Sequence, residues 1–469
     1  MPLAYTKPNS PRGTHLLQFR SQSKMNLYIP LEVKNRELYA KIFLAKHAAE
    51  RGFNVILGRK NDLNNLISKM PPGVYLGIGA FENFKKFYAK LKQQGFTVCI
   101  NEEEGLVTYT DKMYVDMRVS KEALAHIDEV FTWGAENQKI LTQAFPDSAN
   151  KFKVTGSPRF DLLKRCNQKV YATEMEEITN KYGKYLLICT SFSSINHFNK
   201  DLDYLNSLIE KKTLRSDESI ENFNRYKEIK RKTFDAFLAA IPRLAAINDA
   251  TNIVIRPHPS ENMDVYRRFA EKFPNVHVDA RFSVHPWIIR ADALVHHYCT
   301  TSIEALATDT PRFALRPIRD PLSEKEIPFE CSVECASVEE LSSKIKEHLT
   351  TGKGNGDSKS LIQDYSRYVW NIGEPLAAEA IVDRISAVTS ASGNRSTDYG
   401  KVLMAKAFYI AKKVLRSALR RNRGDLNYLD HKFSHLSLSE VDSVLRAFES
   451  ESTPLKCRRF AGDFVHICR

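Results

Sequence analysis

The chain has 469 residues, of which 43% are apolar and 27% charged, and a formal net charge of +13. That composition excludes wholesale disorder and collagen-like repeats and, at about 100–200 residues per domain, favours two or three domains with real cores. The charge is uneven: residues 1–24 carry four basic and no acidic residues, 401–469 carry 14 basic and 7 acidic ones, and only +2 remains for 25–400. A nearly neutral body with basic ends argues against a nucleic-acid channel and for attachment of one end to an anionic surface. No run of about 18 uncharged apolar residues occurs, so no transmembrane helix is expected. The eight cysteines form no CxxC pair or zinc spacing, which points to buried, reduced thiols and a cytoplasmic setting.

Residues 1–24, with three prolines and no periodicity, read as a disordered tail, and Met25 is a credible alternative start. From there short apolar runs alternate with helical patterns. Strands are predicted at 26–31, 54–57, 74–78, 97–100, 129–133 and 152–155, with helices at 36–51, 81–94 and 135–145. The pattern restarts with strands at 185–190, 252–255, 276–278, 293–296 and 312–315, and helices at 217–247, 262–273 and 301–308. This β-α-β alternation calls for doubly wound parallel sheets. The expected division is a tail (1–24), two Rossmann-like domains (25–170 and 171–391) and a basic helical extension (392–469). Residues 352–359 read as a flexible loop and 392–400 as a linker. Two such sheets face each other across a cleft, and ligands bind there, beyond the carboxyl ends of the strands.

Unusual residues lie just after strands. Glu102-Glu103-Glu104-Gly105 follows the strand TVCI; crowded carboxylates raise one another's pKa and suit one of them to general-base work, unless the turn is simply solvated. Arg256-Pro257-His258-Pro259 follows the strand NIVI, and prolines on both sides stiffen the backbone around an imidazole. Thr300-Thr301-Ser302 opens a helix after ALVH, offering hydroxyls and free N–H groups to an anion. Glu304 either completes a capping box with Thr301 or faces a ribose. Gly156-Ser157-Pro158-Arg159 ends another strand, with Arg159 free to pair with Asp161 or to reach the cleft. Ser193 and Asn196 lie in the first loop of the second unit, where polar residues approach ligand phosphates. No GxGxxG, Walker or GxSxG motif occurs.

In this order, the acidic turn, the His-Pro motif and the Ser/Thr motif resemble the pattern of bacterial sialyltransferases, GT-B enzymes that use CMP-activated sugars. The phrases VTGSPRFD, VIRPHPSEN and ADALVHHYCTTSIEALATDTP also resemble surface-carbohydrate biosynthesis proteins and the CDP-glycerol glycerophosphotransferases. The resemblance, over residues 25–390, implies a GT-B-like fold and transfer of a Kdo- or sialic-acid-like sugar from CMP to a surface polysaccharide or lipid-linked glycan. It implies Glu103 or Glu104 as general base and His258, held by Pro259, at the donor phosphate. It places Arg256, Ser193, Asn196, Thr300, Thr301 and Ser302 around the nucleotide sugar and Glu304 on the ribose. No metal or further cofactor is implied. A CDP-glycerol or CDP-ribitol phosphotransferase and a UDP-sugar enzyme are the enzymatic alternatives. A non-catalytic polysaccharide-assembly protein is the alternative of another class.

Residues 401–423 hold eight Lys/Arg and no Asp/Glu. Apolar residues including Leu403, Met404, Ala407, Phe408, Ala411 and Leu415 follow 3–4 spacing, as in a helix lying in an anionic membrane interface. The expected location is the cytoplasmic face of the inner membrane, with no nucleic-acid partner.

Overall fold

Short apolar runs build two mostly parallel sheets in the computed structural model. It describes residues 25–106, 110–200, 203–210, 214, 216–248, 250–320, 324–352, 358–373, 375–390, 400, 404, 407–409, 411, 433, 435–448, 454–461 and 463–469. The first lobe carries β1 (Asn26–Leu31), β2 (Asn54–Arg59), β3 (Val74–Gly77), β4 (Thr97–Asn101), β5 (Glu129–Thr132) and β6 (Phe152–Val154). The second carries β7 (Tyr185–Cys189), β8 (Asn252–Arg256), β9 (Val276–Val278), β10 (Ala293–His296), β11 (Arg312–Leu315) and β12 (Val333–Cys335). The chain ends in β13 (Lys456–Ala461) and β14 (Phe464–Cys468). β1 and β7 are buried at every position, as strands covered on both faces must be.

The second sheet runs β12-β11-β10-β7-β8-β9 and is parallel throughout. The chain leaves β7 toward β8 and returns beyond its other side to β10, so the crevice opens between β7 and β10. The loops after β7, β8 and β10 therefore lie side by side. The first sheet runs β13-β14-β2-β1-β3-β4-β5-β6, with its own change of direction at β1. The helix Lys34–Glu50 covers it with the expected stripe Leu38, Ile42, Ala45 and Ala49, all buried.

Two boundaries differ from the sequence expectation. The helix Ala377–Ser390 returns to the first lobe and packs on Lys34–Glu50 and Pro158–Asp161. And the C-terminal region is not a helical extension alone. Its helix Leu438–Phe448 packs on Lys34–Glu50, with the Phe43 and Phe448 rings 4.8 Å apart. Its hairpin then adds to the first sheet, β14 running antiparallel to β2 with Val465 opposite Leu57 and Ile467 opposite Val55. Gly58 admits this strand: a Cβ there would lie 2.2 Å from the Phe464 ring. The tail 1–24, the loop residues 353–357 and 391–399 lie outside the described residues, as does most of 401–423. No described helix is long and apolar enough to cross a membrane.

Candidate functional site

At the end of β4 the three glutamates are interleaved with cations. Arg118 binds Glu102 (2.5 Å) and Glu104 (3.2 Å), Arg36 binds Glu104 (2.9 Å), and Lys41 binds Glu103 (3.2 Å). The Trp133 indole donates to the Glu102 carbonyl at 2.6 Å and fixes the turn. Crowding was expected to raise a carboxyl pKa here; at Glu104 the sign is opposite. Arg118, against the cost of burial, and then Arg36 bring it down to about 2, with His258 of the other lobe adding to the effect. That influence places Glu104 within electrostatic reach of His258. Glu104 keeps 51% of its side chain exposed, whereas Glu103 keeps 5%, so only Glu104 presents a carboxylate freely to solvent.

The facing loops of the second lobe are tied together by Glu261, buried beneath them. Its carboxylate accepts from the Thr190 hydroxyl (3.0 Å), the Phe192 N–H (3.0 Å), the His258 N–H (3.2 Å) and the Tyr266 hydroxyl (2.6 Å). Burial raises its pKa, the hydrogen bonds opposing. The turn so held puts Ser193 Oγ 3.0 Å from His258 Nδ1, which also accepts the Ser260 N–H at 3.2 Å. Because Nδ1 accepts, the proton of the neutral ring belongs on Nε2. Ser193 and His258 are thus brought together as expected, and His258 and Pro259 are exposed.

Other expected ligands are engaged elsewhere. Arg256 donates to the carbonyls of Arg281 and Phe282, both at 2.7 Å; it braces the strand end instead of facing the cleft, and burial lowers its pKa to about 10. The Asn196 amide donates to the Asn262 carbonyl at 3.1 Å and joins the two loops.

Thr300, half-buried, precedes the helix Thr301–Ala307 but makes no side-chain cap bond, so no capping box forms. Ser302 Oγ turns back to the Cys299 carbonyl at 2.8 Å. Thr301 Oγ1 and Ser194 Oγ are buried with no hydrogen-bond partner among the described residues. Glu304 is 0% exposed and is paired with Arg159, with His285 Nε2 at 3.5 Å. Burial opposes its ionisation, but Arg159 and His285 together hold the carboxyl at about 2. It is a pillar between the lobes, its Oε1 committed to Arg159; a ribose would find only Oε2, which has no partner among the described residues.

The Gly-Ser-Pro-Arg turn is the other half of that pillar. Gly156 has φ +81°, and a Cβ there would lie 2.2 Å from Asn371 Oδ1. Asn371 bridges Ser157 and Asp161, and Asp161 receives the N–H groups of Ala377 and Ala378 at 2.9 and 2.8 Å. Arg159 therefore pairs with Glu304, while Asp161 caps the returning helix.

Sequence reasoning missed Glu261, although it stands three residues after His258, and it missed Lys230. The Lys230 ammonium is fully buried, ringed by Phe192, Tyr226 and Tyr298 at 5.3–5.6 Å, and donates to Ser191 Oγ at 3.4 Å.

No family model matches the chain, and no curated protein matches it in sequence. Among solved structures, a protein of Listeria monocytogenes assigned as a UDP-N-acetylglucosamine 2-epimerase is 14% identical, with a TM-score of 0.50 over 80% of this chain and 99% of its own. S. aureus MnaA, solved with UDP, is 15% identical, with a TM-score of 0.50 over the same shares. The wall teichoic acid polymerase TagF, 13% identical over 78% of this chain and 89% of its own, gives a TM-score of 0.45, too loose a likeness to argue from. The first two likenesses, together with the two mostly parallel sheets, show a GT-B-like fold: two Rossmann-type lobes facing across a cleft.

Proposed function

We propose that the chain is a glycosyltransferase of surface-carbohydrate assembly that moves an acidic sugar from a CMP donor to a polysaccharide or lipid-linked glycan. The observation that supports this best is that the solvent-facing Glu104 of the first lobe lies within electrostatic reach of the exposed His258 of the second. A donor lying on the second lobe would set its phosphate by His258, which Ser193 holds in place, and by the hydroxyls of Thr300 and Thr301. An acceptor hydroxyl would then enter from Glu104. Charge developing on the departing phosphate would be met by the His258 Nε2–H and by the hydroxyls. Calorimetric titration with CMP, CDP, UDP and GDP tests the reading. Preference for a cytidine nucleotide supports it, a uridine preference moves it to a UDP-sugar enzyme, and no binding by any of the four overturns it in favour of an assembly protein.

A carboxylate held at about 2 is a weak base, so Glu104 contributes mainly by accepting the acceptor's hydrogen bond and orienting it. Glu104→Gln is expected to cost about 10²-fold in transfer, the low end for such groups, with nucleotide affinity unchanged. Glu103→Gln, altering a carboxylate already given to Lys41, is expected to leave turnover within about threefold. Steady-state kinetics of the two variants with the donor selected by titration checks the assignment; equal losses would sink it.

We also assign the basic segment to an anionic membrane surface. Of 401–423 the structure describes Met404, Ala407, Phe408, Tyr409 and Ala411. Tyr409 is buried against Phe464, ring centroids 4.9 Å apart, whereas Met404 is 66% and Phe408 39% exposed. Of the stripe, Met404 and Phe408 thus face outward, in a segment whose sequence holds eight basic residues, each worth about 1 kcal/mol near an anionic leaflet. Because β14 completes the first sheet, removing 401–469 would unfold the lobe, and point variants are the proper test. Met404→Asp with Phe408→Asp is expected to weaken sedimentation with phosphatidylserine vesicles more than tenfold, since each apolar side chain buried contributes about 1.5–3 kcal/mol. Unchanged sedimentation would refute the assignment.

A further inference from the structure

Lys230 is a cation in an unusual position. It sits midway along the helix Asp217–Ala245, a rod of 29 residues and about 43 Å. The first turns of that helix pack on the first lobe, Ser219 Oγ donating to Asp116 at 3.0 Å and Phe223 and Tyr226 clustering with Met113. Its last turns pack on the second-lobe core through Phe237, Ile241 and Leu244. At Lys230 the side chain turns inward. Among the described residues no carboxylate lies within 4.0 Å of Nζ. The facing carboxylate Glu324 is bound by Arg316 (3.2 Å), with His297 Nε2 2.9 Å from its other oxygen, and Glu261 is taken by the four groups named above. One hydrogen bond and three ring faces are little compensation for a buried ammonium.

Its surroundings are the anion-facing loops themselves. Ser191, which receives the Lys230 hydrogen bond, passes its own to the His297 carbonyl at 3.1 Å, so the loops after β7 and β10 close over the ammonium. Tyr298, whose ring lies over Nζ, has φ +34°, a strained conformation for a non-glycine residue. Stacking on Phe329 and a hydrogen bond from the Lys325 N–H hold it there.

We propose that Lys230 is a positioning residue and buried counter-charge for the donor phosphate: it holds the loops at 190–194 and 297–301 in their receiving geometry and is neutralised, across Ser191, by the anion that binds there. The proposal rests on the reading that this end of the second lobe takes a nucleotide phosphate. Burial, opposed by Glu324, lowers the Lys230 pKa to about 8, and a bound anion would raise it. Binding therefore takes up a proton above pH 8, and affinity falls as pH rises. The titratable groups facing Lys230 from its neighbours are Glu324, His296, His297, Cys299, Glu261 and the Tyr226 and Tyr298 rings. Of these His297 is lowered to about 4 by burial and by Lys230, and burial pushes the Cys299 thiol up.

The test is titration of CDP and of inorganic pyrophosphate into wild type, Lys230→Met and Lys230→Arg between pH 7 and 9. Wild-type affinity for CDP is expected to fall about tenfold across that range, as a group titrating near 8 requires. Lys230→Met should bind both probes at least tenfold more weakly at pH 7, with the fall gone. Lys230→Arg should restore binding and show a flat profile, which excludes Glu261 or Cys299 as the titrating group. If Lys230→Met does not fold, the wild-type and arginine profiles decide. If the variants follow the wild type at every pH, the inference falls while the nucleotide site stands. If wild type binds neither probe, the phosphate site falls with it.

Discussion

Replacing Arg159 by leucine is expected to destabilise the protein by about 3–5 kcal/mol, the cost of leaving a buried charge without its partner. The partner is Glu304, fully buried one turn beyond Thr301. The two residues come from different lobes: Arg159 from the turn after β6, Glu304 from the helix after β10. Glu304→Leu should cost a comparable amount by stranding the guanidinium. The double variant should recover most of the loss, because two apolar side chains can fill the same space without a desolvation cost. Urea denaturation of the four proteins measures this coupling; strict additivity of the single losses would show that the pair is not a unit. The pH dependence follows from the sign at Glu304. Its folded-state pKa of about 2 lies below the ordinary 4.5, so the pair's contribution is present above pH 4.5 and is lost as pH falls toward 2. The gap between wild type and Arg159→Leu should therefore close in acid.

That pillar shows what a single sequence can and cannot disclose. The strands were legible wherever they are buried on both faces, because Asn26–Leu31 and Tyr185–Cys189 are continuous apolar runs that fit no other environment. The motifs were legible because they follow those strands. Their partners were not. Glu104 meets Arg36 and Arg118, Glu103 meets Lys41, and Glu304 meets Arg159, pairings that exist only once the chain has folded and, for the last, once the lobes have met. Read locally, three adjacent carboxylates repel; in place, each has its own cation. The C-terminal hairpin was hidden for a related reason. Lys456–Ala461 carries three basic residues and forms the sheet edge, where charge is tolerated and periodicity is weak, while its neighbour β14 pairs with β2, about 400 residues earlier in the chain. Lys230 sits in the run EIKRKTF, which looks like a solvated helical face, yet one lysine of that run is fully buried.

Replacing His258 by asparagine is expected to slow transfer by about 10²–10³-fold, the range for removing one hydrogen-bond donor to developing negative charge, with nucleotide affinity changed less than tenfold. The argument begins at Nδ1. The Ser260 N–H and Ser193 Oγ both meet that nitrogen, and Glu261 pins the His258 backbone from below. Two contacts therefore orient the ring and a third holds its backbone, and Nε2 carries the proton of the neutral ring, with which it can donate a hydrogen bond to a departing phosphate. Asparagine offers an oxygen to the Ser260 N–H, so the turn can persist while the Nε2–H donor is lost. Ser193→Ala, which removes one of the two contacts at Nδ1, is expected to cost about tenfold, since it loosens a ring that remains present. Single-turnover kinetics with donor bound beforehand separates the two effects from binding. The order matters more than either number. If Ser193→Ala proves as damaging as His258→Asn, the serine itself touches the phosphate. If His258→Asn turns over at the wild-type rate, the imidazole is only a part of the turn.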